Sequence, residues 1–230
     1  MKIDILTLFP HMFDGFLSES IIKRAILNKQ VEINIIDFRK YSLDNHQKVD
    51  DTPYGGGAGM VLMCEPVVRA IEDIKSDDSI VILTTPQGEI YNEAKAIELK
   101  NYKHLIIVCG HYEGYDERIR EFVDLELSIG DYVLTGGEIP AMVITDSITR
   151  LIDGVINKDS YIDDSFTNGL LDYPTYTKPA DFRGLKVPEV LISGNHEKIK
   201  EYRYNEQIKR TKLRRPDLME KYNERIEESK

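Results

Sequence analysis

The chain has no tryptophan and only two cysteines in 230 residues. Cys64 and Cys109 stand far apart, Cys109 closing the apolar run HLIIVC, so no disulfide framework is expected and a reducing cytoplasm is the natural compartment. No apolar run approaches the roughly 18 residues that span a bilayer, and no membrane association is expected. The N-terminal MKIDILTLFPHMF has one early lysine and no small-residue cleavage site, so it reads as a first strand and not a signal peptide. Several motifs are missing as well. There is no G-x-G-x-x-G after the first strand and no G-x-x-x-x-G-K-[ST], which removes the main support for a dinucleotide or P-loop site. No G-x-S-x-G elbow points to acyl transfer. The histidines, at 11, 46, 104, 111 and 196, lack zinc-type spacing and there is no C-x-x-C, so no metal site is expected.

What remains is an ordinary soluble composition, 41% hydrophobic and 30% charged, long enough for one large domain and a small one. The net charge of −10 argues against a nucleic-acid partner until its distribution is read. Residues 196–216 hold eight Lys/Arg against three Glu, and within QIKRTKLRR (207–215) five of nine residues are basic and none acidic: Lys209, Arg210, Lys212, Arg214 and Arg215. Such a face neutralises phosphates, or is simply a solvated helix face; composition leaves both open.

Short β-branched runs alternate with helical patterns over the first two-thirds of the chain. IDILTL (3–8), VEINIIDF (31–38), SIVILTT (79–85), HLIIVC (104–109) and LELSI (125–129) read as strands. ESIIKRAILNK (19–29), EPVVRAIEDI (65–74), NEAKAIELK (92–100), DERIREFV (116–123) and IPAMVITDSITRLIDGVI (139–156) read as helices. This alternation predicts an α/β fold, a parallel sheet flanked by helices. The pattern breaks after residue 160. A domain at 1–160, a linker at 161–175 and a small all-helical domain at 176–230 follow, the last built from HEKIKEYRYNEQIKRTKLR, capped by Asn195, and PDLMEKYNERIEE.

Three glycine-marked turns each follow a predicted strand: TTPQGE (84–89), CGHYEGYDER (109–118) and SIGDYVLTGGEIP (128–140). In a parallel sheet successive strand ends lie on one edge, so these loops should converge on a pocket there. Loops so rich in glycine present backbone N–H and C=O groups, which suits a flat base or a small cofactor.

Together with DDTPYGGGAGMV (50–61), DDSFTNGLLDYPTYTKP (163–179), LISGNH (191–196) and RTKLRRPDL (210–218), these turns resemble, in order along nearly the whole chain, the bacterial tRNA (guanine-N1-)-methyltransferases of the SPOUT class. The resemblance implies methylation by S-adenosylmethionine of N1 of the guanosine 3′-adjacent to the anticodon, at tRNA position 37. It also implies a homodimer with active sites at the subunit interface, and a deep trefoil knot around the cofactor, which general folding rules would never suggest. The family's cofactor contacts fall on Thr85, Pro86, Gln87 and Gly88, then on Gly110, Tyr112, Glu113 and Gly114. The third loop contributes Ser128, Ile129, Gly130, Asp131, Tyr132, Val133 and Leu134, with Gly136, Gly137 and Pro140 behind them. Backbone amides suit the adenine edge and Ile129, Tyr132 and Leu134 its faces, although Ile129 and Val133 also read as core residues.

The reaction narrows the catalytic candidates. Guanine N1 carries a proton, so a general base must lie within hydrogen-bond reach, and the charge then pushed onto O6 calls for a cation. By position in the family motifs Asp164 is the base, Arg150 the O6 partner and Asp172 a second acid near the guanine. Chemistry alone does not separate Asp164 from Asp163; motif register favours Asp164. Asp164 also reads as a turn cap, and Arg150 as a surface ion-pair partner. The basic segment, with Tyr202 and Tyr204, becomes RNA-facing under the resemblance. Some members of the family need a divalent cation such as Mg2+, near Glu113. Arginine often stands in the family where this chain has His111, and again at Lys178. Two other readings stay open: a nucleotide-dependent oxidoreductase and a non-catalytic RNA-binding module.

Overall fold

The computed structural model describes residues 1–157 and 164–228. Asp163 and the first residues of the expected linker, 161–163, lie outside the described residues. The chain forms two compact units, Met1–Ile156 and Asn157–Lys230.

The first unit is built on five strands: β1 (Lys2–Thr7), β2 (Glu32–Asp37), β5 (Ser79–Ile90), β6 (His104–Cys109) and β7 (Leu125–Ser128). They pair in the order β2-β1-β6-β5-β7, every neighbour parallel. All six residues of β6 are buried, the expected state of a central parallel strand covered on both faces. The short β3 (Asp50–Asp51) and β4 (Val61–Leu62) form an antiparallel pair whose connecting loop is the glycine-rich PYGGGAGM.

Around the sheet lie α1 (Asp14–Ser18), α2 (Ser20–Leu27), α3 (Cys64–Ile74), α4 (Glu93–Leu99) and α5 (Glu138–Thr149). α3 buries Val67, Val68, Ala70 and Ile71, one apolar stripe, in a cluster with Leu6, Val81, Ile106 and Val108 from three strands. Burying each valine, leucine or isoleucine among them contributes roughly 1.5–3 kcal/mol. α5 buries Ala141, Ile144 and Ile148, also one stripe, but ends at Thr149 and not at 156. Beyond it the backbone tightens, Leu151 N–H reaching Ile148 O at 3.0 Å, and Gly154 sits at φ +85°. The segment 116–123 differs too: Glu117–Phe122 is a 3-10 helix burying only Ile119, because one apolar anchor does not make the stripe that an α-helix needs.

One polar cluster sits within the sheet, near the N-terminal ends of its strands. The Asp4 carboxylate is 1% exposed and accepts from Asn34 Nδ2 at 2.8 Å, with Lys2 Nζ at 2.7 Å and His104 Nε2 at 2.9 Å. Ser79 Oγ holds the other ring nitrogen, His104 Nδ1, at 2.7 Å.

The second unit is helical, with α6 (Glu189–Ile192), α7 (His196–Arg214) and α8 (Pro216–Glu228). Asn195 caps α7 as expected, its side chain accepting from Lys198 N–H at 3.1 Å. The helices do not account for everything. A hairpin of β8 (Asp181–Phe182) and β9 (Leu185–Lys186), turning at Arg183 (φ +56°) and Gly184 (φ +86°), adds a small sheet that the all-helical expectation missed. Residues 164–172 pack on α7: Leu170 is fully buried and Leu171 N–H donates to Thr211 Oγ1 at 2.8 Å.

Candidate active site

The three glycine-marked segments converge at the C-terminal edge of the sheet, each by a different local device. In the first, β5 does not stop at the expected turn. Thr84 and Glu89 both pair with Leu127, so residues 85–88 bulge out of the strand, which then resumes to Ile90. Gly88 permits this, since a Cβ there would stand 2.5 Å from Glu126 C and Leu127 N.

The second segment folds back on itself, Gly114 N–H reaching His111 O at 3.2 Å while Tyr112 sits at φ +62°. It is fastened to β4 and to Met60 just before it: Glu113 N–H donates to Met60 O at 3.0 Å and Leu62 N–H to Gly114 O at 2.9 Å. The third segment turns on a reciprocal pair, Ser128 Oγ donating to Gly130 O at 3.2 Å and Gly130 N–H to Ser128 Oγ at 3.3 Å. It then joins the second, Gly137 N–H donating to Gly110 O at 2.8 Å beside an antiparallel bridge between His111 and Gly136. A Cβ on Gly137 would lie 2.7 Å from both Cys109 Cα and Gly110 N, so the approach requires glycine.

Between the segments lies a cavity of about 170 Å³. Thr85 and Pro86 line it from the first, and Gly110, Tyr112, Glu113 and Gly114 from the second. Ser128, Ile129, Gly130, Tyr132, Val133 and Leu134 line it from the third, with Gly136, Gly137 and Pro140 at its back. Val133 is 84% exposed and is no core residue. Three of the expected cofactor residues, Gln87, Gly88 and Asp131, do not line the cavity. Gln87 Oε1 is occupied by Arg120 Nη2 at 2.7 Å, and Gly88 backs onto β7.

The lining also includes Thr84, His111, Tyr115, Leu127 and Thr135, to which the sequence reading assigned no cofactor role. His111 and Tyr115 stand in the motif CGHYEGYDER, so their signal was present. Burial raises the Tyr115 phenol above its ordinary pKa and keeps it a neutral donor. The larger concavity, about 1260 Å³, lies beside Tyr54, Met63 and Cys64. Its arginines are paired, Arg118 with Asp116 at 2.7 Å and Arg69 with Glu65 at 3.6 Å, so the smaller cavity is the better candidate.

Comparison with known proteins supplies the family. The model of the tRNA (Guanine-1)-methyltransferase TrmD family matches residues 1–221. The chain belongs to that family. Among its relatives, a protein of Geobacillus kaustophilus named tRNA (guanine-N(1)-)-methyltransferase is 57% identical over 226 residues, 96% of this chain and 93% of the relative. Those of Malacoplasma penetrans and Bacillus pumilus, with the same name, are 57% and 56% identical, covering 96% and 100% of this chain and 98% and 96% of theirs.

In this member of the TrmD family the expected catalytic residues fall in both units. Arg150 is half-buried and forms the C-cap of α5, in the first unit. Asp164 and Asp172 are half-buried in the second. Asp164 O accepts from Thr167 N–H at 3.3 Å, while the Asp172 carboxylate is drawn to its own backbone, accepting from Tyr173 N–H at 2.6 Å. Lys209, Lys212, Arg214 and Arg215 are exposed along and just beyond the last turns of α7; Arg210 is partly buried, and Arg215 pairs with Asp217 at 2.6 Å. Among the described residues no three His, Cys, Asp or Glu side chains gather as metal ligands, and no helix is long and apolar enough to cross a membrane.

Proposed function

We propose that this chain transfers the methyl group of S-adenosylmethionine to N1 of the guanosine at tRNA position 37, and that the three-loop cavity is its cofactor site. The observation that carries this reading is the convergence of the three glycine-marked segments on one cavity, in a chain of the tRNA (guanine-1)-methyltransferase family. The lining fits the cofactor: backbone from Val133 to Thr135 in the third segment can pair with the adenine edge, and Ile129, Tyr132, Leu134 and Pro140 can enclose its faces. When bound, S-adenosylmethionine supplies a methyl carbon already made electrophilic by its sulfonium.

The chain's own residues then handle charge and proton. Asp164 would accept the N1 proton as N1 displaces the methyl carbon from its sulfur, which leaves as a neutral thioether, and Arg150 would offset the negative charge left on O6. Asp172 positions the guanine from the same segment as Asp164. A guanosine reacting at N1 must be splayed out of the anticodon stack. Lys209, Arg210, Lys212, Arg214 and Arg215 hold the tRNA phosphates. Among the described residues no three His, Cys, Asp or Glu side chains gather around Glu113, so no step is routed through Mg2+.

The reading includes a SPOUT trefoil knot formed by these three loops and a homodimer active in the cytoplasm. Outward apolar positions Ile139 and Val143, one turn apart on α5 and 47% and 42% exposed, support a second copy packing there. The deciding experiment incubates the protein with labelled S-adenosylmethionine and tRNA transcripts bearing guanosine or adenosine after the anticodon. Label is expected in the guanosine transcript alone; equal labelling of both, or of neither, would overturn the proposal.

A further inference from the structure

The carboxylate of Glu138 is buried at 1% exposure as the first residue of α5, immediately behind the cavity, and the proposed chemistry makes no use of it. Its surroundings form a closed circuit. Thr7, fully buried at the end of β1, donates from Oγ1 to Glu138 Oε1 at 2.7 Å and accepts the Phe9 N–H at 2.9 Å. The Phe9 ring packs on the His111 ring with centroids 4.6 Å apart. His111 bridges to Gly136, and a Cβ on Gly136 would meet both the Glu138 carboxylate and the imidazole, whose Cδ2 and Nε2 lie 2.7 and 3.2 Å from that point. The circuit closes where Gly137 N–H binds Gly110 O at 2.8 Å.

A buried carboxylate is costly unless it is hydrogen-bonded, and this one has a hydroxyl donor and the positive end of α5. The bond ties the first strand, whose loop lies outside the three glycine-marked segments, to the turn that forms the back of the cavity. We infer that Glu138 is a positioning residue: held by Thr7, it fixes the Gly136–Gly137 turn against Gly110–His111, so that the backbone lining the cavity is set before the cofactor arrives. The inference rests on the cavity being the cofactor site.

Calorimetric titration of S-adenosylmethionine into wild type, Thr7→Val, Thr7→Ser and Glu138→Gln tests it. Thr7→Val keeps the shape but removes the donor to the carboxylate. It is expected to weaken cofactor binding by about tenfold or more and to raise the cofactor KM in step, while kcat at saturating cofactor stays within about twofold. Thr7→Ser, which keeps the hydroxyl, restores affinity. Glu138→Gln weakens binding in the same direction, and the Thr7→Val/Glu138→Gln pair is less than additive because both act on one bond. Binding by Thr7→Val within twofold of wild type would overturn the inference, as would equal losses in Val and Ser. So would a loss of affinity that vanishes once the fraction folded, read by circular dichroism, is taken into account. Wild type that binds no S-adenosylmethionine would instead overturn the cofactor reading itself.

Discussion

The two edges of the central sheet solve opposite problems. Near the N-terminal ends of the strands, Lys2, Asp4, Asn34, Ser79 and His104 satisfy one another through side chains. At the C-terminal ends the chain turns on glycine, and the hydrogen bonds that hold the loops together are mostly backbone to backbone, from Gly137 to Gly110 and from Glu113 to Met60. A side-chain network fills its own space and gives stability. A backbone frame leaves a cavity and donors for something else. The lesson is that polar groups buried with their partners mark structure, while loops that approach through glycine and leave volume between them mark the site.

Substitutions can break or sharpen that contrast. The largest expected effect lies in neither edge: Asp164→Asn should lower methyl transfer by about 10²–10⁴-fold with cofactor affinity nearly intact, measured by single-turnover labelling and calorimetry. Collapse of cofactor binding would show that Asp164 is not the base, and an unchanged rate would leave the chain without an assigned proton acceptor. At the N-terminal edge, Asp4→Ala strands His104 and removes a buried acceptor. It should cost about 3–5 kcal/mol and lower Tm by roughly 10 °C, with kcat/KM of the folded enzyme unchanged at low temperature. Loss of activity without loss of Tm would erase the distinction between the edges.

Gly137→Ala tests the other edge. The added methyl meets backbone, so the second and third segments must separate, and cofactor affinity should fall at least about tenfold, far more than at Gly15, whose Cβ would meet nothing within 4 Å. Equal effects at the two glycines would refute the argument from close approach. The smallest effect is expected on α7. Lys209→Ala with Lys212→Ala should raise the tRNA KM a few-fold, leave the cofactor KM alone and flatten the salt dependence of tRNA binding by about two phosphate contacts. An unaltered salt slope would return those lysines to the role of a solvated helix face.

Much of the fold could be read along the chain, because burial patterns are local. Five β-branched runs became the five parallel strands, and α7 and α8 begin and end where Asn195, Pro216 and the apolar spacing place them. The errors share a cause. TTPQGE reads as a turn because proline and glycine punctuate it, yet pairing with β7 resumes after the bulge, and only the presence of β7 alongside supplies that pairing. DERIREFV has helical spacing, but too little of it meets the core to support α-helical turns. Thr7 and Glu138 carry no motif as a pair, since they are 131 residues apart and meet only when β1 and α5 are packed.

The sequence alone determined the five parallel strands, most of the helices and the three segments that gather at the sheet edge, for periodicity and glycine placement are properties of neighbouring residues. Motif order along the chain was enough to point to the family. Tertiary structure decided which residues face the cavity, removing Gln87, Gly88 and Asp131 and adding His111 and Tyr115. It also decided where Arg120 spends its hydrogen bonds and how a buried carboxylate comes to brace a backbone turn. Those outcomes depend on atoms brought together from distant parts of the chain, and no local pattern encodes a distance.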